Sequence, residues 1–598
     1  MRHFFITVLG SLIGFFIAMI LVIFALVAFA VSTIKSATTQ ADPVYTNAVL
    51  TLDLRKHLRD FGGENSLFGS SSPSIVNIAR SLDRAKSDKD VKGVFIRANG
   101  WGMEPAKAEE LRMALEDFQT SGKFVIVHAQ GFEGTSLSAY MAVSGADEIW
   151  LQDTTGFSLA GYRAEIEFYG GVFEKFDAKA EFIQFKEYKN AVNSYTKKGL
   201  TPAHKESMTA LLGSLMDSSV SNIAADREMS EDTVLTFLQD APHSAEQAKE
   251  QGFVDKLGHY ASTRDYVKKQ AGDDVTFVSI SDYGVGTAPN KTGDTLTPVI
   301  AVIGGEGAVV TGGSSDGSNP FAGGGLTMGS DTISEALINA AEDATVKAVI
   351  FRVNSPGGSA AASDQIWDAV NRVRDEGKPV IISMGQYAAS GGYYVAANAD
   401  KIVAMPTTIT GSIGVYGGKF YLADTFAKVG YNIEAVSTGG EFTAAYSAVE
   451  PWSQGNRAAM QNSMADIYED FTTRVAEGRD LPMETVLEIA KGRVWTGAQA
   501  KEIGLVDELG GFMTALKVAK DEAGIKEGTQ VRLQVFPKPL NELEQLQQLF
   551  NASVQMSENL GELRMLADSP EVQALIDARN RLNTDGSARL YAPLPEIK

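Results

Sequence analysis

The feature that most limits what this chain can fold into is that most of it occurs twice. "VKGVFIRANG" at 91–100 answers "VKAVIFRVNS" at 346–355, and "SGKFVIVHAQ" at 121–130 answers "EGKPVIISMG" at 376–385. "GADEIWLQDTT" at 145–155 matches "NADKIVAMPTT" at 398–408, and "AEQAKEQGFVDKLG" at 245–258 matches "GAQAKEIGLVDELG" at 497–510. The order is kept at a separation of about 253 residues, so the halves are duplicated units of one fold. Within each unit short apolar runs alternate with amphipathic stretches. In "AAASDQIWDAVNRVRDEG" Ile366, Val370 and Val373 recur on one helical face. Strand, helix and strand in that order make βαβ units, which predicts an α/β fold with a largely parallel sheet in each half.

At 598 residues the chain is too long for a single core and long enough for two domains with extras. The repeat sets these at 45–270 and 298–535, with the Gly/Ser/Pro-rich stretch near 284–298 between them. Residues 536–598 have no counterpart in the first half, and their Leu, Gln and Glu content predicts a helical extension, an oligomerisation arm. At the other end, residues 4–31 are apolar except for Thr7, Gly10, Ser11 and Gly14. At about 1.5 Å per residue they exceed the roughly 30 Å hydrocarbon core of a bilayer, which predicts a transmembrane helix. Ala28-Phe29-Ala30 mimics a cleavage site, but the run is far longer than the apolar stretch of about 7–15 residues in a cleavable signal, so an uncleaved anchor is expected. Arg2 and Lys35 nearly cancel across it, and charge does not orient it.

Charge and composition remove several classes of function. A formal charge of −21 without a cluster of Lys and Arg repels nucleic acid. The absence of cysteine excludes disulfides, thiolate catalysis and Cys-ligated zinc. Paired carboxylates, metal-ligand spacings and a P-loop do not appear either, so neither metal nor cofactor is expected.

Diverged duplicates should differ where chemistry was gained or lost. The second half has "NSPGGS" at 354–359 where the first has "NGWGME" at 99–104. It has "TGSIGVYGG" at 410–418 where the first has "FSLAGYRAE", so Ser412 falls opposite Leu159. The first half has "FKEYKNAV" at 185–192 where the second has "GGEFTAAY", so Lys189 falls opposite Thr443. Gly357 and Gly358 leave backbone N–H groups unshielded, as an oxyanion site requires, although a plain tight turn has the same look. Glycines at 411 and 414 allow a strained backbone that exposes the Ser412 hydroxyl, as in other nucleophile turns. Phe182, Ile183, Phe185, Tyr188, Ala191 and Val192 surround Lys189 in sequence, and desolvation by them should lower its pKa, with Lys186 as the competing lysine.

Histidine sharpens the choice. All six (His3, His57, His128, His204, His243 and His259) precede residue 260, so the half holding Ser412 has no Ser-His-Asp triad of its own. His128 stands at a strand end, where a packed imidazole is expected.

With "NSPGGSAAASDQIWDAV", "MGQYAASGGYYVAANADKIVAMPTTITGSIGVYG" and "GRVWTGAQAKEIGLVDELG" read together, the chain resembles the bacterial signal peptide peptidase family in its long, duplicated form, protease IV. The resemblance runs from the apolar N-terminus to about residue 535. It implies a ClpP/crotonase-like fold in each half, membrane attachment, and peptide hydrolysis by a Ser-Lys dyad. The family's nucleophile falls on Ser412 and its lysine base on Lys189. Its oxyanion hole falls on Gly357 with the Ser412 amide, Gly358 lying beside it, and Ser437 matches a family serine near the lysine. The resemblance also implies a homotetramer on the outer face of the bacterial inner membrane, with cleaved signal peptides as substrates. Ser390, in "YAASGGYY", occupies the position of the ClpP nucleophile; without a downstream histidine it is expected to be structural or to line the substrate groove.

Two other functions share these features. A crotonase-type acyl-CoA enzyme has the same fold but no need of a membrane anchor. A noncatalytic membrane scaffold would leave the complementary presence of Ser412 and Lys189 to coincidence.

Overall fold

The computed structural model describes residues 45–62, 73–272, 274–284, 297–316 and 325–537. The expected anchor at 4–31 and the tail beyond 537 lie outside the described residues. Among the described residues no helix is long and apolar enough to cross a membrane.

In the first half the strands are β1 (Ala48–Asp53), β2 (Val91–Arg97), β3 (Phe124–Ala129), β4 (Glu148–Leu151), β5 (Gly156–Phe157), β6 (Lys179–Gln184), β7 (His243–Ser244), β8 (Lys256–Leu257) and β9 (Thr276–Ser279). Six of them form a sheet in the order β8-β4-β3-β2-β1-β9, parallel throughout. The second half has β10 (Val299–Glu306), β11 (Ala308–Val310), β12 (Ser315–Asp316), β13 (Leu326–Gly329), β14 (Val346–Ser355), β15 (Val380–Ala389), β16 (Lys401–Ala404), β17 (Ile409–Gly411), β18 (Tyr416–Tyr421), β19 (Val494–Thr496), β20 (Glu508–Leu509) and β21 (Arg532–Phe536). Its β20-β16-β15-β14-β10-β21 path repeats the first sheet strand for strand, again parallel. The antiparallel pair β5–β7 recurs as β17–β19, which in this half joins the main sheet through β15. β9 lies past residue 270, so the first sheet draws its edge strand from beyond the unit expected from the repeat.

Local sequence accounts for the helices between the strands. In α1 (Ile75–Ser87) Ser74 caps the N-terminus by accepting the Asn77 N–H, and α2 (Pro105–Gln119) starts on the proline tolerated in a first turn. After the long α3 (Pro202–Asp226), α4 (Ala245–Glu250) opens with a Ser244/Gln247 capping box. After α5 (Ala360–Asp375), the equivalent α6 (Gly497–Glu502) opens with the same device built from Thr496 and Gln499.

Alternation along β14 shows how the halves are joined. Val349, Phe351 and Val353 face a core with Ile366, Val370 and Val373 of α5. Ala348 and Ile350 face the opposite way, into a core built by α1, α2 and Phe512, Ala515 and Ala519 of α7 (Phe512–Glu522). That second group belongs to the same apolar cluster as the first sheet, so the halves share one core across this face while the opposite face of the second sheet packs a core of its own.

Arg352, also on β14, is buried in this seam at 1% exposure. Its guanidinium makes two 2.8 Å hydrogen bonds to Asp60 and one of 2.7 Å to Glu110, both carboxylates of the first half. Burial alone would raise the Asp60 pKa, but the adjacent Arg352 outweighs it and holds the carboxyl below its usual range. The repeat partner Arg97 lies nearer the surface, its guanidinium 4.3 Å from the Tyr260 ring centroid. Removing one member of a buried ion group strands its partners. Arg352→Met should therefore cost about 3–5 kcal/mol, whereas Arg97→Met should cost under about 1 kcal/mol. Urea unfolding of the two variants, followed by circular dichroism, measures the difference.

Candidate active site

Ser412 follows the last residue of β17 and takes a φ of +50°, a left-handed conformation that costs energy for a residue with a Cβ. Two cross-strand bonds hold it there. Its N–H donates to the Arg493 carbonyl at 2.7 Å, and the Gly492 N–H donates to the Ile413 carbonyl at 2.7 Å. The glycines of "TGSIG" now have reasons. Gly411 has a φ of +72°, and a Cβ there would lie 2.7 Å from Trp495 Cδ1. A Cβ at Gly414 would lie 2.8 Å from Gly492 Cα and 3.3 Å from Lys189 Cδ.

Lys189 arrives from the other half. β6 pairs antiparallel with β18, from Gln184 opposite Tyr416 to Lys179 opposite Tyr421. The Phe185 N–H continues the ladder to the Val415 carbonyl at 3.1 Å. Because the strands run oppositely, following β6 forward means following the second half back toward Ser412. The Tyr188 N–H then bonds to the Lys491 carbonyl at 3.0 Å, and the chain presses on Gly492, where a Cβ would lie 2.5 Å from Lys189 N. Only glycine fits there.

The ammonium end of Lys189 stands 2.9 Å from Ser412 Oγ, 2.8 Å from the Ser412 carbonyl oxygen and 2.8 Å from Ser390 Oγ. Lys189 is 4% exposed, and among the described residues no carboxylate pairs with it. Burial alone pulls its pKa from the ordinary lysine value down to about 7. The aromatic neighbours in sequence have other partners. Phe182 stacks on Tyr195 and meets Phe420, Phe185 packs on Tyr468, and the Tyr188 hydroxyl donates to Glu206 at 2.9 Å. The second half adds close cover, where Gly414 and Gly492 let the lysine stem lie against backbone. Lys186 is exposed, its ammonium over the Phe185 ring.

The turn after β14 is clamped on β11. The Val309 N–H donates to the Gly357 carbonyl, and the Ser359 N–H to the Val309 carbonyl, both at 2.9 Å. Gly357 has a φ of +103°, and a Cβ on it would lie 2.8 Å from Ser390 Cβ; a Cβ on Gly358 would lie 2.1 Å from the Val309 carbonyl oxygen. The Gly357 N–H points to Ser355 Oγ at 3.2 Å. Gly357 thus reaches the Lys189–Ser412 pair through Ser390. The Ser412 amide differs from the expectation for an oxyanion donor, because the Arg493 carbonyl already takes its proton. Ser437 is not brought to the lysine either: it lies in the exposed segment 431–440. His128 is a packed imidazole, with Nε2 3.2 Å from the Gly258 carbonyl oxygen and a pKa lowered by burial to about 4.

Two contacts in this geometry were not expected from sequence. Ser390 touches Lys189 directly, although its position after a strand and before Gly391-Gly392 was a visible signal. Gly492 is the second, and its "KGRVWTG" context says nothing of a lysine 303 positions earlier.

The profile for Peptidase family S49 matches residues 117–273 and 372–526, and that for Clp protease matches 327–410. Lys189 lies in the first S49 segment, Ser390 and Ser412 in the second. Protease 4 of Salmonella typhi is 31% identical over 480 residues, covering 77% of this chain and 75% of that protein. The chloroplastic serine protease SPPA of Arabidopsis thaliana is 29% identical over 524 residues, covering 86% and 74%. Protease 4 of Haemophilus influenzae is 29% identical over 537 residues, covering 85% and 84%.

A methyl group at 414 would drive apart the two backbones that meet at the lysine stem. Gly414→Ala should slow covalent capture of the Ser412 hydroxyl by a fluorophosphonate about a hundredfold, the cost of roughly 1 Å of misplacement. Rate constants for adduct formation, followed by mass spectrometry at equal melting temperature, test this.

Proposed function

Since the chain belongs to Peptidase family S49, we propose that Ser412 is its nucleophile and Lys189, supplied by the other half, its general base. The protein is a serine peptidase. The observation that carries the assignment is the 2.9 Å approach of a buried lysine without a counter-ion to a strained serine hydroxyl. A lysine kept for structure alone would be stabilised by a carboxylate; a lysine kept as a base is better without one, because a counter-ion would hold it protonated.

In this reading neutral Lys189 takes the proton from Ser412 Oγ as that oxygen bonds to the peptide carbonyl carbon. The carbonyl oxygen becomes an oxyanion, for which Gly357 and Gly358 provide the donor groups; the Gly357 N–H exchanges Ser355 Oγ for substrate. When the tetrahedral intermediate collapses, the C–N bond breaks and the Lys189 ammonium returns its proton to the departing amine. Water, deprotonated by the same lysine, then releases the acyl group from Ser412. The units 45–270 and 298–535 each contribute one half of this machinery. Residues 4–31 anchor the chain in the bacterial inner membrane with the catalytic units outside the cytoplasm. The protein works there as a homotetramer on apolar peptides, cleaved signal peptides among them. Support for these last points is the length of the apolar run and the resemblance of the motifs.

The pH dependence follows from the base. Lysine must be neutral to act, and at the ordinary lysine pKa well under about 0.1% is neutral at pH 7. With the value at about 7, roughly half is neutral at that pH. Peptide turnover should accordingly rise with pH through about 7 and level off above it. Ser412→Ala and Lys189→Arg should both lose turnover, arginine because it stays protonated, while Lys186→Ala keeps most of it. Activity of Lys189→Arg near that of the parent, in a peptide assay across pH 5–9, would sink the assignment.

A further inference from the structure

Resting on that reading, we propose that Ser390 is a positioning residue for the dyad: its hydroxyl oxygen takes one Lys189 N–H and so leaves the amine lone pair facing Ser412 Oγ. The argument begins with counting. A neutral amine has two N–H donors and one lone pair, and Lys189 Nζ has three polar neighbours. The Ser412 carbonyl oxygen can only accept, so it takes one N–H. The two hydroxyls, at 2.8 and 2.9 Å, divide the second N–H and the lone pair between them. General-base catalysis needs the lone pair on Ser412, which makes Ser390 the acceptor. Ser390 is half-buried, so its own proton can be given to water.

The backbone supports the same role. Ser390 sits between β15 and the short helix Gly391–Tyr394 at φ +53° and ψ −118°, a conformation that residues with a Cβ rarely adopt. It is held by its N–H on the Gly411 carbonyl at 2.9 Å and by its carbonyl, which accepts from Tyr393 and Tyr394 at 3.0 and 2.9 Å. The Gly411 that anchors Ser390 is the residue before Ser412. One strained junction therefore fixes both hydroxyls on either side of the amine, and fixed geometry is what a positioning group needs.

The charged groups on the surrounding elements do not offer a competing explanation. Glu187 and Tyr188 flank Lys189, Glu206 stands on α3, and Lys491 and Arg493 lie on the loop before β19. Arg493 and Glu206 pair with each other at 2.7 Å, and the Tyr188 hydroxyl joins them. Asp364 of α5 binds the Tyr394 hydroxyl and Arg474. Burial lowers the Lys189 pKa, and none of these charges contributes to the shift.

The test uses the full chain, a short apolar peptide and a fluorophosphonate, with Ser390→Ala and Ser390→Gly, the latter free of backbone strain at positive φ. Both variants should lower kcat by about tenfold to a hundredfold with KM near the parent's. The acid limb of the kcat/KM profile should move to lower pH, because the ammonium loses an acceptor that favours it. Local loosening would admit water and move that limb the other way. An upward shift, or a parent-like kcat and profile, overturns the positioning role while an adduct on Ser412 leaves the dyad standing. An adduct found on Ser390, with Ser412→Ala still turning over peptide, overturns the dyad itself.

Discussion

The six-residue antiparallel ladder between β6 and β18 is the interaction on which the rest of the site depends. It is the strand pairing that crosses directly from one half to the other among the described residues. Its direction matters as much as its existence. Antiparallel pairing carries one chain forward into Lys189 while it carries the other back toward Ser412, so a single register sets both. A one-residue slip would invert the faces of β6 and aim the lysine away. The shared core beneath, with Arg352 tied to Asp60 and Glu110, holds the two sheets at the separation this ladder needs.

Close backbone approach then does what side chains could not. Gly411, Gly414 and Gly492 each stand where a Cβ would collide with the elements that hold Lys189 and Ser412 together. Gly414 and Gly492 bring Lys189 against main chain rather than against carboxylates. The result is desolvation without a counter-ion, which lowers the pKa to about 7 and leaves the amine able to accept a proton. The same junction strains Ser412 and Ser390, both at positive φ, and the surrounding hydrogen bonds absorb the cost.

Duplication explains how one fold could afford this division. The two sheets keep one strand order, and the capping boxes at Ser244 and Thr496 recur. Equivalent positions were nevertheless put to different uses. Arg97 stacks on a surface tyrosine while Arg352 is buried between carboxylates, and Leu159 is buried apolar packing where Ser412 carries a hydroxyl.

The repeat, the βαβ rhythm and the mismatches between the halves were legible in the sequence, because duplication and periodicity are one-dimensional patterns. They were enough to predict parallel sheets and to single out Ser412 and Lys189, which the fold brings within hydrogen-bond reach. The Peptidase family S49 likeness could be read from motifs for the same reason. The shared core, the Arg352 seam, the third contact from Ser390 and the occupied Ser412 amide could not. Nor could the close approach of Gly414 and Gly492 to the lysine stem, which adds to the neighbours Phe182, Ile183, Phe185, Tyr188, Ala191 and Val192 that the sequence offered. Each of these depends on the distance between residues far apart in the chain. Side-chain pattern specifies which surface an element buries, but only the register of β6 on β18 and the stacking of the two sheets decide what it is buried against.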